Sequence, residues 1–300
     1  MKRVLLLAMV LACLLCGEYA HAAAGHYVNG VEGIRVSSVP PPGGSGFYWK
    51  MYNVFYNAGK MKTNSGGKAP GNFDVSVYAL SNRFIYSSDI EILGGNLLWD
   101  VIIPVTFTDI SYRGIGAASF SDNRWGLGDI YIDPVFIGWH GKQWDATAAF
   151  GVYLPTGEYD NDRPASPGMG FWTFMFTAGG TLYFDEAKTW SASLLARYEI
   201  HTEQRQTDIT PGNHFHFEYG IGKNISGFDI GVAGYCHWQV TDDSGPGTNS
   251  NREQAHAIGP EIGYTFDDIG LTVQLRSLWE FENKNKAQGN VTSVNFLYAF

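Results

Sequence analysis

The chain has 300 residues, a formal net charge of −9, 37 glycines, 15% aromatic and only 16% charged residues, and a mean hydropathy of −0.13. So few charges, against roughly 25% in an average soluble domain, with near-neutral hydropathy exclude a bundle of apolar helices and point to strands that alternate apolar and polar residues. The acidic balance excludes a nucleic-acid partner, which needs a basic surface.

At the N-terminus, Lys2 and Arg3 precede the apolar run Val4–Cys16, and Ala20-His21-Ala22 supplies small residues for cleavage. Residues 1–22 therefore read as an export signal. The run is shorter than the roughly 20 residues that span a bilayer as a helix. A lipoprotein signal through Val10-Leu11-Ala12-Cys13 is the poorer reading, because it leaves a very short apolar region. Cleavage removes Lys2, Arg3 and Glu18, leaving 18 basic and 28 acidic residues, a formal −10. It also leaves Cys236 alone, so neither an internal disulfide nor a cysteine metal site is expected. Residues 23–45 follow, with Val39-Pro40-Pro41-Pro42-Gly43-Gly44-Ser45 making a stiff piece and then a hinge. Two readings stay open for this segment: a periplasmic tail, or a plug folded up into a barrel lumen.

From about Gly46 to Phe300 the period is two. Ala192, Leu194, Ala196 and Tyr198 alternate with Ser191, Ser193, Arg197 and Glu199; Phe215, Phe217 and Tyr219 alternate with His214, His216 and Glu218. Such alternation puts a greasy face against a polar one. A soluble β-sandwich alternates too, but two features favour a membrane barrel. The greasy face ends repeatedly in aromatics (Trp144, Trp172, Trp190, Trp238, Phe266, Trp279), as at lipid–water boundaries. Connections also alternate in length. Short ones fall at 140–143, 185–188, 223–227 and 267–269; long polar ones fall at 59–72, 112–123, 156–168, 203–212, 241–252 and 283–289. Short periplasmic turns and long outer loops predict an all-β, antiparallel transmembrane barrel of about twelve strands over residues 46–300, in the bacterial outer membrane and in contact with its lipid. The last strand, VNFLYAF, ends on Phe300 and would pair with the first strand to close the wall. Its alternating aromatics and terminal Phe300 resemble the signal read by the barrel-insertion machinery.

By alternation Asp100, Asp129, Asp133, Glu199, Glu218, Arg197 and Arg276 face inward and line the path of a solute. An acidic lumen disfavours anions and tolerates neutral or cationic solutes, unless the acids pair locally. His201, His214, His216 and His237 fall near the outer mouth beside Glu199 and Glu218. The plainer reading is a wet, polar mouth that holds no metal; a metal site or an acid-sensitive gate is the alternative. Pro104 and Pro134 fall inside neighbouring strands, at similar heights when counted from the periplasmic ends. Proline cannot donate a ladder hydrogen bond, so each implies a bulge or a break in the wall. That break could let a hydrophobic solute leave sideways into lipid.

The stretch Trp125–His140 (WGLGDIYIDPVFIGWH), the His26–Pro42 region, the aromatic Phe47–Tyr56 strand and Leu154-Pro155-Thr156-Gly157-Glu158-Tyr159 resemble the outer-membrane proteins of the meta-cleavage pathway of phenol degradation. That resemblance covers most of the mature chain. It implies an outer-membrane transporter of aromatic or hydrophobic compounds, and it brings no catalytic residues. The predicted function is a channel for such small solutes, without cofactor and without catalysis. The rivals are a barrel enzyme acting on lipids, which lacks a Gly-x-Ser-x-Gly elbow, and a structural surface barrel that transports nothing.

Overall fold

Period-two alternation becomes strands in the computed structural model, which describes residues 25–36, 45–114 and 119–300. The export signal read at residues 1–22 lies outside the described residues. In chain order the strands are β1 (Gly46–Ala58), β2 (Asn72–Ile92), β3 (Gly95–Arg113), β4 (Ser119–Leu127), β5 (Ile130–His140), β6 (Trp144–Leu154) and β7 (Thr173–Tyr183). They continue with β8 (Trp190–His201), β9 (His214–Ile225), β10 (Phe228–Gln239), β11 (Gln254–Phe266), β12 (Leu271–Lys284) and β13 (Asn290–Ala299).

All neighbours are antiparallel, and the sheet closes. β1 pairs with β2 on one side and with β13 on the other, from Tyr48↔Ala299 to Asn57↔Asn290. No strand edge is left open along VNFLYAF, because its partner is β1. Thirteen strands make twelve passes: β4 pairs with the outer half of β3 (Val105↔Leu127 to Arg113↔Ser119), and β5 with its inner half (Asn96↔Gly138 to Ile102↔Tyr131). They are two pieces of one pass, interrupted at Gly128-Asp129. The fold is a closed twelve-strand antiparallel β-barrel.

Connections follow the short–long rhythm, with one correction. The loop expected at 112–123 is mostly strand; β3 runs to Arg113 and β4 starts at Ser119. Its polar residues look like loop in sequence, but Tyr112 and Arg113 pair with Phe120 and Ser119, and Ser121, Asp122 and Asn123 pair further back along β3. Among the short turns, Asp185 accepts hydrogen bonds from the Trp190 N–H (2.7 Å) and the Thr189 hydroxyl (2.7 Å). The Trp190 N–H, followed by Thr189, holds its carboxyl below the usual carboxylate range.

The outer face is apolar. Phe176, Leu194, Ile221, Ile230, Ile262 and Leu275 are all exposed, and Leu182 is 58% exposed. In water such a continuous belt would drive aggregation, whereas in lipid it is the expected surface. Trp144, Phe184, Trp190, Phe228 and Phe266 ring the short-turn end, and Trp172 and Trp279 stand toward the long-loop end. Lys223 Nζ sits 4.9 Å over the Trp190 ring, joining a boundary aromatic to a snorkelling cation.

Candidate functional site

The inward faces of β8 to β12 carry the charges that alternation selected. Glu199, Glu218, Arg197 and Arg276 are buried, as are Asp100, Asp129 and Asp133 on the other side. What occupies them is a stretch that contributes no strand, residues 25–36. An irregular segment cannot satisfy its own N–H groups, so acceptors must come from the wall. Glu199 accepts from the N–H groups of His26 (2.8 Å) and Tyr27 (3.1 Å). Glu218 accepts from Gly30 N (2.8 Å), Glu32 N (3.0 Å), Tyr27 Oη (2.6 Å) and Arg197 Nη1 (2.7 Å). Glu261 takes the Ile34 N–H at 3.1 Å and pairs with Arg276 at 2.7 Å, while Arg276 also donates to the Gly30 carbonyl at 3.0 Å.

Glu32 of the segment is held from the opposite wall by Lys50 Nζ (2.7 Å) and Tyr52 Oη (2.6 Å). Close approach demands glycine at two places. A Cβ on Gly33 would collide with the Glu261 carboxylate and the Arg276 guanidinium, and one on Gly220 would come within 2.8 Å of the Ile34 backbone. Arg197 also stacks over the Tyr27 ring at 3.9 Å. These acids therefore serve as acceptors for a bound segment and do not face an open acidic pore. Sequence reading picked the residues but not their partners; Lys50, Arg83 and the 25–36 backbone were missed.

The remaining pore-lining candidates divide. Asp100 pairs with Arg83, and Asp133 accepts from Tyr131 Oη at 2.6 Å. Asp129 accepts from His26 Nε2 (2.7 Å) and from the N–H groups of Gly157 (2.8 Å) and Met169 (2.7 Å). The four histidines are buried beneath residues 25–29. His216 Nε2 lies 2.9 Å from Glu199, and His201 Nε2 lies 3.0 Å from His214 Nδ1. Glu218 is turned away from them, toward the segment, so they form a packed cluster and not a wet mouth.

Between the segment and the opposite wall lies a cavity of about 820 Å³. Much of that wall is apolar: Val54, Phe73, Val75, Val77, Ile102 and Ile110 line it, with Tyr48 and Leu297 toward the short-turn end and Met61 and Ala287 toward the loops. An apolar cavity of roughly 150 Å³ suffices for benzene, so volume does not limit a single-ring solute.

The cavity also reaches Pro104, Gly128 and Pro167. No ladder pair forms between Ile102↔Tyr131 and Val105↔Leu127. Pro104 O accepts from Gly128 N–H at 2.9 Å. In an antiparallel pair a residue's N–H and C=O point to the same neighbour, so the N–H that proline lacks also falls on this side. Asp129 draws the 155–170 loop over the break, and Pro167 packs so closely on Gly126 that no Cβ fits there.

Pro134 behaves differently. It lies opposite Trp99, in register shifts on both edges of β5, and is exposed on the outer face. That places it roughly 16 Å from Pro104 along β3, at about 3.3 Å per residue. The expectation of similar heights fails because β3 starts at Gly95 and pairs with β5 from Asn96↔Gly138, which sets Pro134 near the short-turn end and Pro104 well above it.

The family model for the putative MetA-pathway of phenol degradation matches residues 58–296. The chain belongs to that family. No curated protein sequence matches it. Among solved structures, an outer membrane channel of Pseudomonas putida F1 is similar over 92% of this chain and 100% of that one, with 12% identity and a TM-score of 0.71. The β domain of the Bordetella autotransporter BrkA matches over 85% of this chain and 100% of that one, with 12% identity and a TM-score of 0.52. At such identities the likeness is one of fold: this family member shares an outer-membrane barrel with a channel and an autotransporter domain.

Proposed function

We propose that this member of the phenol-degradation family is an outer-membrane channel for small hydrophobic or aromatic compounds, and that it is not an enzyme. The observation that carries the reading is the 820 Å³ cavity with a largely apolar wall, whose charged lining residues are held in pairs such as Lys50–Glu32, Arg83–Asp100, Arg197–Glu218 and Lys286–Glu253. Residues 25–36 act as a plug that fills the charged half of the lumen and leaves the apolar half for solute. Phe300, 80% exposed at the end of β13, is the group offered to the insertion machinery. The family description and the channel from Pseudomonas putida F1 are consistent with this use. A deletion strain grown on a panel of aromatic carbon sources at limiting concentration should grow slowly on the transported compounds and normally on succinate. Equal growth of deletion and parent on every aromatic would remove the proposal.

On this reading a solute has two routes out of the cavity to choose between: along the axis past Tyr48 and Leu297, or sideways at the Pro104/Gly128 break, which the 155–170 loop covers. We favour the sideways route, because a hydrophobic solute gains by entering lipid directly. Pro134 only shapes the wall. A Cβ on Gly128 would stand 3.1 Å from Pro104 Cγ and 3.5 Å from the Pro167 carbonyl, so Gly128→Leu should fill the break. Uptake of a neutral aromatic should fall sharply in that variant with the barrel still folded. Unchanged uptake would assign transport to the axial route.

A further inference from the structure

His26, Thr173, His201 and His214 form a chain of hydrogen bonds that starts from Asp129. The steps are Asp129 Oδ2 to His26 Nε2 (2.7 Å), His26 Nδ1 to Thr173 Oγ1 (2.6 Å), Thr173 Oγ1 to His201 Nδ1 (2.7 Å) and His201 Nε2 to His214 Nδ1 (3.0 Å). A neutral imidazole has one donor and one acceptor nitrogen. The Asp129 carboxylate accepts, so His26 Nε2–H donates to it and His26 Nδ1 accepts from the Thr173 hydroxyl. Thr173 in turn accepts from His201 Nδ1–H, which leaves His201 Nε2 to accept from His214 Nδ1–H. With neutral rings the direction is fixed throughout, and the chain ends on a bare lone pair at His214 Nε2.

Among the described residues that nitrogen is fully buried and has no hydrogen-bond partner; neither has His237 Nε2. His214, His237 and Glu253 bring one donor atom each within 4.8 Å of the others, and all three side chains are buried. His237 Nε2 is 3.8 Å from Glu253 Oε2. His237 Nδ1 faces the Asn29 side-chain amide at 3.0 Å, and the Asn29 Oδ1 has itself no partner among the described residues. Turning this amide over puts Oδ1 on His237 Nδ1–H and frees the Nε2 lone pair. A second group, Glu199, His201 and His214, is also close, but both of the His201 nitrogens and His214 Nδ1 are taken up in hydrogen bonds.

We propose that His214, His237 and Glu253 form a binding site for a divalent transition-metal ion of the zinc type. Two imidazoles and one carboxylate are a donor set such ions prefer, with a fourth position left for water. Bonds of about 2.0–2.2 Å require the donors to close by about an ångström from their present spacing. His201 and Asn29 hold the far nitrogens of the two imidazoles, as outer partners do in metal sites. The ion would tie the outer ends of β9 and β10 to the 240–253 loop, next to the Asn29 end of the plug. Lys286 Nζ, 2.8 Å from Glu253 Oε2, competes for the same carboxylate.

Zinc titration of the full mature chain, refolded in detergent and stripped with chelator, tests the site by calorimetry, with cobalt absorption reporting the donor set. One ion per chain is expected. His214→Ala and His237→Ala should abolish it, and Glu253→Gln should weaken it by at least about tenfold. Lys286→Met should tighten binding, which a merely packing role for Lys286 does not produce. His140→Ala and His256→Ala should leave it unchanged. Where a histidine variant does not fold, the parent stoichiometry with Glu253→Gln and Lys286→Met decides. The absence of stoichiometric binding, or binding indifferent to Glu253→Gln and Lys286→Met, would overturn the proposal.

Discussion

Deleting residues 25–36 is expected to convert a barrel whose charged side they occupy into an open aqueous pore. Six hydrogen bonds from this segment end on Glu199, Glu218 and Glu261. Bonds to charged acceptors contribute about 1.5–3 kcal/mol each, but water entering the vacated lumen would solvate the carboxylates and offset most of this loss. The net effect is a lowered unfolding temperature together with a large gain in conductance. Freed from their partners, the acids would make the pore cation-selective. Planar-bilayer recording should show small or no steps for the parent and large, cation-selective steps for the deletion. Gly33→Val should reproduce part of the change, because its Cβ would collide with the Glu261–Arg276 pair and displace the segment. Identical conductance in parent, deletion and Gly33→Val would show that residues 25–36 do not limit the lumen.

The second large effect concerns the apolar wall. Val77 lines the cavity and pairs across the ladders with Tyr56 and Thr108. Val77→Arg would place an unpaired guanidinium into an apolar space. A buried, unpartnered charge is heavily penalised, so water would follow it in and the cavity would lose its preference for hydrophobic solutes. Uptake of a neutral aromatic should drop to the level of the deletion strain, while the purified variant keeps its folded, heat-sensitive mobility on denaturing gels. Val77→Leu, which preserves the apolar surface, should retain most uptake. Equal uptake by Val77→Arg and the parent would place the solute path elsewhere.

The barrel was legible in the sequence because each strand from β8 to β12 has one greasy and one polar face, and because turn lengths alternate. The cavity was not legible, for the same physical reason. Along β2, inward Phe73, Val75, Val77 and Ala79 are apolar, and so are outward Tyr78, Leu80 and Phe84. With Asp74 and Ser76 outward in one half and Ser81 and Arg83 inward in the other, the strand's two halves alternate in opposite sense, and no single period marks the cavity wall. The split of β4 from β5 at Gly128-Asp129 was hidden as well: Gly-Asp is ordinary turn chemistry, and nothing local reveals that Asp129 is drawn off to cap Gly157 and Met169. Histidine positions could be read from alternation, but the Asp129–His26–Thr173 chain joins residues more than 100 apart in sequence. The N-terminal segment carried no period at all, and only its tertiary contacts reveal which acids it engages.

The central claim is that an apolar passage beside a fixed plug admits neutral aromatic molecules through the outer membrane. Its most direct test is the initial uptake rate of a labelled single-ring neutral aromatic, against a charged analogue of the same size, in intact deletion cells with and without the restored chain. Uptake of the neutral compound should rise several-fold on restoration and be lost again with Val77→Arg, while the charged analogue enters no faster. Restoration that leaves neutral uptake unchanged, or that speeds only the charged analogue, would contradict the claim.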